Sequence, residues 1–380
     1  MEGIVLALFL CLLLALVTKY LSLPAIPFYI LAGVLLGKAG LGMVQADEIS
    51  KFFSEMGLLF LLFFMGLGIK PERIMANRSA VLTSGIIDLN VNMIIGFIAA
   101  YMLGFSLSES LIVASAFYIS STAMAVTSLI ENRKLMLRES ETVIWLMVFE
   151  DLVLIVVLAL ISAGNQNLIL FFVKILCVLG VLYALAHYGK EFLVSILDRD
   201  DELPIIFTFA AVLITASFSM YLGVPETMMV IALGVAFATT DPDAFEQHAR
   251  PFKDVFLVVF FVFFGVTIDF SGGVNWFVIG VISVLAVLSK LISGVLTGIY
   301  IHGSAMSGLE IWANTIGRGE FSIALAVLYG TPLVGTTIAV MVIVTSIIGS
   351  FTAKYSTILR HGITHMDRRR GPSRRVHSGR

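Results

Sequence analysis

The chain has 380 residues, 59% of them hydrophobic and 13% charged, with a mean hydropathy of +1.00, whereas a soluble globular chain carries about a quarter charged residues. It is therefore a membrane protein, and because a spanning helix takes about 20 residues, its length admits roughly a dozen crossings and excludes a single-pass receptor. The formal charge is -2, from 24 Lys+Arg against 26 Asp+Glu, and no long polar segment is left for a Rossmann unit or a nucleic-acid module, so no nucleic acid is expected as a partner and most soluble-enzyme chemistry is excluded.

The first apolar run, from about Gly3 to Val17, has no basic segment before it and no small-residue cleavage site, so it reads as a retained helix rather than a signal peptide. Breaks rich in Pro, Gly and charge separate further runs at roughly 24–40, 54–69, 80–103, 108–130, 140–162, 167–188, 203–221, 225–239, 254–268, 274–301, 309–329 and 334–356. The expected fold is an all-α polytopic membrane protein of about thirteen transmembrane helices. Orientation follows from Lys and Arg, which are in excess in cytoplasmic loops. Lys19, Lys70, Arg73, Arg78, Arg133, Lys134, Arg138, Lys190, Arg199, Arg250 and Lys253 fall on one side, together with a tail that carries Lys354, Arg368, Arg369, Arg370, Arg374 and Arg375. Only Lys38 and Lys51 fall on the other. A multi-pass protein of the cell's inner membrane is expected, N-terminus outside and C-terminus cytoplasmic. The basic tail, 357–380, reads as a topology anchor or a disordered end, with phospholipid binding as the sharper reading. Cys11 and Cys177 lie in apolar runs and suggest no disulfide or zinc framework.

A repeat is visible within the chain. PAIPFYILAGVLLG and PETMMVIALGVAFA align with Pro24 opposite Pro225 and Gly33 opposite Gly234, both 201 residues apart. FFSEMGLLFLLFFMGLGI aligns with PFKDVFLVVFFVFFGVTI, placing Phe53, Glu55, Gly66 and Ile69 opposite Phe252, Asp254, Gly265 and Ile268, each 199 apart. An odd number of predicted helices separates each segment from its copy, so the copies are expected to run in opposite directions. This is the inverted repeat of many secondary transporters, whose substrate sites lie at the midplane.

An ionisable side chain near the bilayer centre costs at least about 2.5–3.5 kcal/mol on insertion scales, so each needs a partner or a task. Glu150 and Asp151 are adjacent in WLMVFEDLVLIVV, halfway along predicted helix 6. Helix neighbours point about 100° apart, so one can face a water-filled cavity while the other meets a neighbouring helix. Lys290, near the middle of predicted helix 11, is the expected partner of Glu150, either as a fixed salt bridge or as a group that exchanges protons when the pairing is made and broken. Lys174 lies near a helix end and is expected to snorkel.

Two helices carry polar interruptions at their centres, Tyr118-Ile-Ser120-Ser121-Thr122 in predicted helix 5 and Asn314-Thr315-Ile316-Gly317-Arg318-Gly319-Glu320 in predicted helix 12. Thr122 and Glu320 are 198 residues apart, close to the repeat offset. Paired interruptions point to crossed broken helices and a binding site, because unwound backbone offers carbonyl oxygens and half-helix ends offer partial charges. Arg318 and Glu320 are expected to support the breaks by compensating the half-helix dipoles and each other. In predicted helix 4, Asp88 lies near Asn90 and Asn92, about one turn into the bilayer from the inner side. It reads either as the lining of a cation access funnel or as a helix-packing residue.

The phrases LPAIPFYILAGVLLG, GLLFLLFFMGLGI, SSTAMAVTSLIE, FEDLVLI, FFVFFGVTIDF and GRGEFSIAL, in this order within residues 1–356, resemble the bacterial and archaeal monovalent cation:proton antiporters of the Kef-type and NapA-type group. The resemblance implies that Asp151 binds cation and proton alternately, that Glu150 occupies the position before it, and that Lys290 pairs with Glu150. Thr122, with Ser121, would supply hydroxyl and carbonyl contacts. The resemblance further implies a homodimer with a scaffold from about 1–70 and 203–268, an ion-binding core from about 80–162 and 274–356, and a linker helix at about 167–188. Two departures stand out: Glu150 is longer than the usual residue, and Arg318-Gly-Glu stands where potassium-efflux relatives have Gly-Gly-Glu. No nucleotide-binding regulatory domain follows the last helix, so control by that route is not expected.

The expected activity is secondary antiport of Na⁺ or K⁺ against H⁺, the two ions competing at Asp151, with no cofactor and no enzyme chemistry. Sodium is preferred because two carboxylates plus Lys290 resemble the sodium exchangers, and K⁺/H⁺ exchange of the Kef type is the alternative. A cation channel is disfavoured by the lack of a filter phrase. An intramembrane protease is disfavoured because its aspartates come from separate helices and share a proton.

Overall fold

Helix ends fall where the sequence supplies a capping side chain or a glycine. Asp47 accepts from the Ser50 amide at 2.8 Å, Ser106 and Glu109 form a reciprocal capping box, and Gly223 and Gly303 close their helices in the left-handed region at φ 61° and 66°. The structure, a computed structural model, describes residues 2–21, 25–45, 47–69, 78–164, 166–268, 270 and 275–369. Pro24, Lys70, Arg73, Arg370, Arg374 and Arg375, singled out in the sequence, lie outside the described residues.

The helices are α1 (Glu2–Leu21), α2 (Ile26–Leu36), α3 (Glu48–Leu67), α4 (Arg78–Met102), α5 (Leu107–Tyr118), α6 (Thr122–Glu131), α7 (Arg138–Ala163) and α8 (Leu168–Tyr188). They continue as α9 (Lys190–Leu197), α10 (Leu203–Leu222), α11 (Glu226–Phe237), α12 (Pro242–Thr267), α13 (Trp276–His302), α14 (Ala305–Thr315), α15 (Glu320–Tyr329) and α16 (Pro332–Arg369). No strand occurs among the described residues. Counting α5 and α6 as one, 8 helices among the described residues are long and apolar enough to cross a membrane, and Val5–Tyr20, Ile26–Leu36, Glu226–Phe237 and Glu320–Tyr329 are shorter apolar helices.

The differences from the sequence reading lie at polar ends. Helix α12 starts at Pro242 rather than near 254, because Asp241 caps it through the Ala244 amide at 3.0 Å and Pro242 is preset for the first turn. The short helix α9 occupies a charged stretch that hydropathy leaves as a loop. Helix α16 continues to Arg369, so the first part of the expected tail is helical.

Two groups of helices pack among themselves. In one, α12 lies against α2 and α3, and α11 against α3 and α10. In the other, α13 lies against α4, α14 and α16, α5 against α4 and α15, and α7 against α4 and α14. The first group meets through backbone. A Cβ on Gly33 would collide with the Val262 carbonyl and one on Gly265 with the Ile30 carbonyl, while one on Gly66 would strike the Ile231 carbonyl and one on Gly234 the Phe63 carbonyl. Gly33 therefore faces Gly265, and Gly66 faces Gly234. Since the repeat aligns Gly33 with Gly234 and Gly66 with Gly265, exchanging the two halves carries one contact onto the other. Small residues serve this role because apolar lipid gives helices no hydrophobic reason to associate, and close packing must supply the attraction.

Gly33→Val and Gly234→Val are each expected to destabilise the protein by at least about 1–3 kcal/mol, the usual cost of overpacking, seen as a lower melting temperature in detergent. Gly180→Ala in α8, where an added Cβ would have nothing within 4 Å, serves as the control and is expected to leave the melting temperature level or slightly higher.

Candidate functional site

Helix α5 stops at Tyr118 and α6 restarts at Thr122, while α14 stops at Thr315 and α15 restarts at Glu320. The two breaks touch: the Ser121 amide donates to the Gly317 carbonyl at 2.7 Å. A Cβ on Gly319 would lie 2.5 Å from the Ser121 side chain, so glycine is required for this approach.

Arg318 is completely buried. Its Nε and Nη2 donate to the Phe117 carbonyl at 2.9 and 2.6 Å, Nη1 donates to the Ile316 carbonyl at 2.5 Å, and Nη2 also reaches the Ala286 carbonyl at 3.1 Å. Phe117 lies in the last turn of α5 and Ile316 is the C-cap of α14, so one guanidinium sits where two partially negative helix ends converge. Glu320, the first residue of α15, accepts from Ser121 Oγ at 3.0 Å, and Ser121 caps α6 through the Met124 amide at 3.3 Å. The carboxylate thus sits at two partially positive ends. Arg318 and Glu320 thus sit at helix ends of opposite sign.

Beside the breaks lies a buried ionic group. Lys290 Nζ is 2.7 Å from Glu150 Oε1 and 2.6 Å from Asp88 Oδ2, with the lysine 0% and both acids 1% exposed. Glu150 also accepts from the Ser120 amide and, at 3.1 Å, from Ser120 Oγ. Asp88 accepts from Ser293 Oγ at 2.6 Å and Asn92 Nδ2 at 2.8 Å, and Ser289 Oγ donates to Asn92 Oδ1 at 2.7 Å. The sequence leaves Asp88 as access lining or as a helix-packing residue. Its carboxylate lies on the face of α4 that packs on α13, where it serves as a counter-ion. The sequence reading missed Asn92 as a bridge, along with Ser120, Ser289 and Ser293. A signal for them exists: Asp88 and Asn92 are four residues apart, and Ser289 and Ser293 repeat that spacing on the helix one repeat later.

Asp151 follows Glu150 around α7. Its Oδ1 is buried without a hydrogen-bond partner, as are Thr122 Oγ1 and Tyr118 OH, and Glu150 and Glu320 lie close enough to act on it electrostatically. Lys290 Nζ lies 5.4 Å from the centre of the Tyr118 ring, so the tyrosine stands beside the ionic group. A cavity of about 200 Å³ lined largely by α3 and α12 is mostly apolar. A larger one, about 610 Å³, lies between α1 and α2 on one side and α6 and α16 on the other. Lys19, Glu131, Asn132 and Lys354 line it, and it extends to Ala123 and Met124, next to Thr122.

Crossed broken helices with charge-compensated ends, and an unsatisfied carboxylate oxygen close by, define a secondary ion transporter. The chain belongs to the sodium/hydrogen exchanger family, whose transmembrane region matches residues 5–356, a family of cation:proton antiporters. A K(+)/H(+) antiporter subunit of Bacillus subtilis, KhtU, is 32% identical over 328 residues, 82% of this chain and 81% of the relative. The Na(+)/H(+)-K(+) antiporter GerN of Bacillus cereus is 26% identical over 356 residues, 88% of this chain and 90% of the relative. The solved structure of the sodium proton antiporter MjNhaP1 from Methanocaldococcus jannaschii shares the fold, with a TM-score of 0.71 at 19% identity over 94% of this chain and 96% of that one.

Removing one member of a buried ion pair costs about 3–5 kcal/mol, whereas removing both can be nearly neutral. Lys290→Met, which strands two acids, is expected to lower the melting temperature sharply. Adding Glu150→Leu should recover part of the loss, and adding Asp88→Leu as well should recover more. Double-mutant cycles with coupling near zero would remove the triad.

Proposed function

We infer that the protein exchanges a monovalent cation for a proton at Asp151, which holds one or the other and exposes it alternately to the two sides of the membrane. The observation that carries this reading is that Asp151 Oδ1, next to Glu150 on α7, and Thr122 Oγ1, at the start of α6, are both buried without a hydrogen-bond partner. Carboxylate, hydroxyl and the carbonyls of the broken helices form the oxygen-rich set that suits a hard alkali cation. Competition at one carboxylate suffices to couple the two flows. Glu150 and Lys290 shape the site, Ser121 and Thr122 contribute to its wall, and Arg318 with Glu320 holds the breaks.

The cavity between α1, α2, α6 and α16 is the access route from the side that carries Lys19 and Lys354, which the distribution of basic residues makes cytoplasmic. The group containing α2, α3, α11 and α12 is the scaffold, and the group containing α4–α7 and α13–α16 is the moving core, related as an inverted repeat and working as a homodimer in the cell's inner membrane. The cavity lies between the two groups, where relative motion would open and close it.

Sodium was the expectation from sequence, resting on two carboxylates with one lysine. In the structure Asp88 joins Glu150 on Lys290, and Asp151 is the carboxylate left for either cation. Potassium, the cation named for the 32% identical relative, is the reading favoured here. Sodium is the second reading, supported by the name of the relative that matches 88% of the chain.

Proteoliposomes containing a pH-sensitive dye test both. A potassium pulse is expected to change internal pH more than sodium or lithium, and Asp151→Asn is expected to abolish the response while the protein still folds, because an amide cannot cycle between proton and cation. Wild-type flux in Asp151→Asn would remove Asp151 as the carrier. The Michaelis constant for the cation is expected to rise as pH falls over about pH 8.5 to 6, since protons compete for the same oxygen. A constant that stays flat across that range would exclude competition at one site.

A further inference from the structure

The sequence assigns Lys290 one partner, yet the structure gives it two. We propose that Asp88 is a permanent anchor for Lys290, keeping the lysine charged through the whole cycle, so that exchange is electroneutral with one cation against one proton. The inference deepens the antiport reading and rests on it.

The two partners differ in how they are held. Glu150 adjoins Asp151 on α7 and contacts the break between α5 and α6 through Ser120, so its position responds to what Asp151 and the break are doing. Asp88 touches neither in its hydrogen bonding. Ser293 Oγ at 2.6 Å, Asn92 Nδ2 at 2.8 Å and Lys290 at 2.6 Å hold it, and Ser289 in turn orients Asn92 at 2.7 Å. These residues lie only on α4 and α13, which pack directly on each other. When an arriving cation draws Glu150 away, a lysine with no other partner would be a bare ammonium in an apolar interior and would shed its proton. That proton would add a charge to the cycle. With Asp88 still at hydrogen-bond distance, Lys290 keeps its proton, and only the ion on Asp151 is exchanged. Asp88 acts through Lys290 and is therefore a positioning residue.

The test is the pH difference at which exchange stops in proteoliposomes, measured against a membrane potential set by a permeant anion. One cation against one proton moves no net charge, so the wild-type end point is expected to be independent of potential. In Asp88→Asn the lysine is expected to carry a second proton, and the end point should then move by about half a pH unit for every ~60 mV. Glu150→Gln, which leaves Asp88 as the sole anionic partner, is expected to keep the flat end point however slowly it is reached. A potential-dependent end point in the wild type or in Glu150→Gln overturns the proposal, and so does a flat one in actively exchanging Asp88→Asn. Should Asp88→Asn fail to fold, the other two slopes still decide. Absence of cation-driven proton flux in the wild type would instead defeat the antiport reading, and this proposal with it.

Discussion

No charge in the apolar interior can stand alone, and the centre of this protein is organised around that constraint. Six carboxylic or basic side chains meet there, and five of them are answered by the protein itself. Lys290 has two carboxylates, those carboxylates have hydroxyl and amide donors besides, Arg318 has carbonyl oxygens, and Glu320 has a hydroxyl at helix N-termini. Asp151 is the exception, with a buried oxygen that finds no donor. In the proposed cycle its balance comes from outside, as a proton or a cation, and the transported ion completes a charge arrangement that is otherwise closed.

The breaks make this arrangement possible. An unbroken helix would keep its carbonyls and amides in its own ladder, whereas stopping α5 and α14 at mid-membrane frees two sets of carbonyls and two sets of amides within a few ångströms. One arginine and one glutamate then serve two half-helices each. Because the Ser121 amide bonds the Gly317 carbonyl, the two breaks are also joined through main chain. A displacement of α6 is therefore felt at α15 without any side chain having to transmit it.

Much of this is legible in the sequence. The breaks are visible because Ser-Ser-Thr and Gly-Arg-Gly-Glu are poor company for an apolar helix, and their spacing matches that of the prolines and glycines elsewhere. Lys290 and Glu150 are visible because charge is rare at that depth. The place of Asp88 is not, since a carboxylate near Asn90 and Asn92 towards one side of the membrane reads equally as lining or packing until the neighbour across the interface is known. The helices that hydropathy misses or shortens, α9 and the start of α12, are amphipathic or charged segments, ordered in α9 by one packed face and in α12 by the Asp241 cap. The second acid on the lysine is not visible either, because residues 202 positions apart are joined only by the crossing of α4 and α13.

The glycine contacts of α2 with α12 and α3 with α11 join backbones through Gly33, Gly265, Gly66 and Gly234 against the carbonyls of Val262, Ile30, Ile231 and Phe63. None of these residues gains or loses a proton. That seam is held by contacts whose strength does not change with acidity or salt, while every titrating group at the protein's centre lies in the other packed group. Under the proposed division into a frame and a moving core, the glycine seam of the frame thus carries no titrating group, and the acid chemistry at the centre is confined to the part proposed to move.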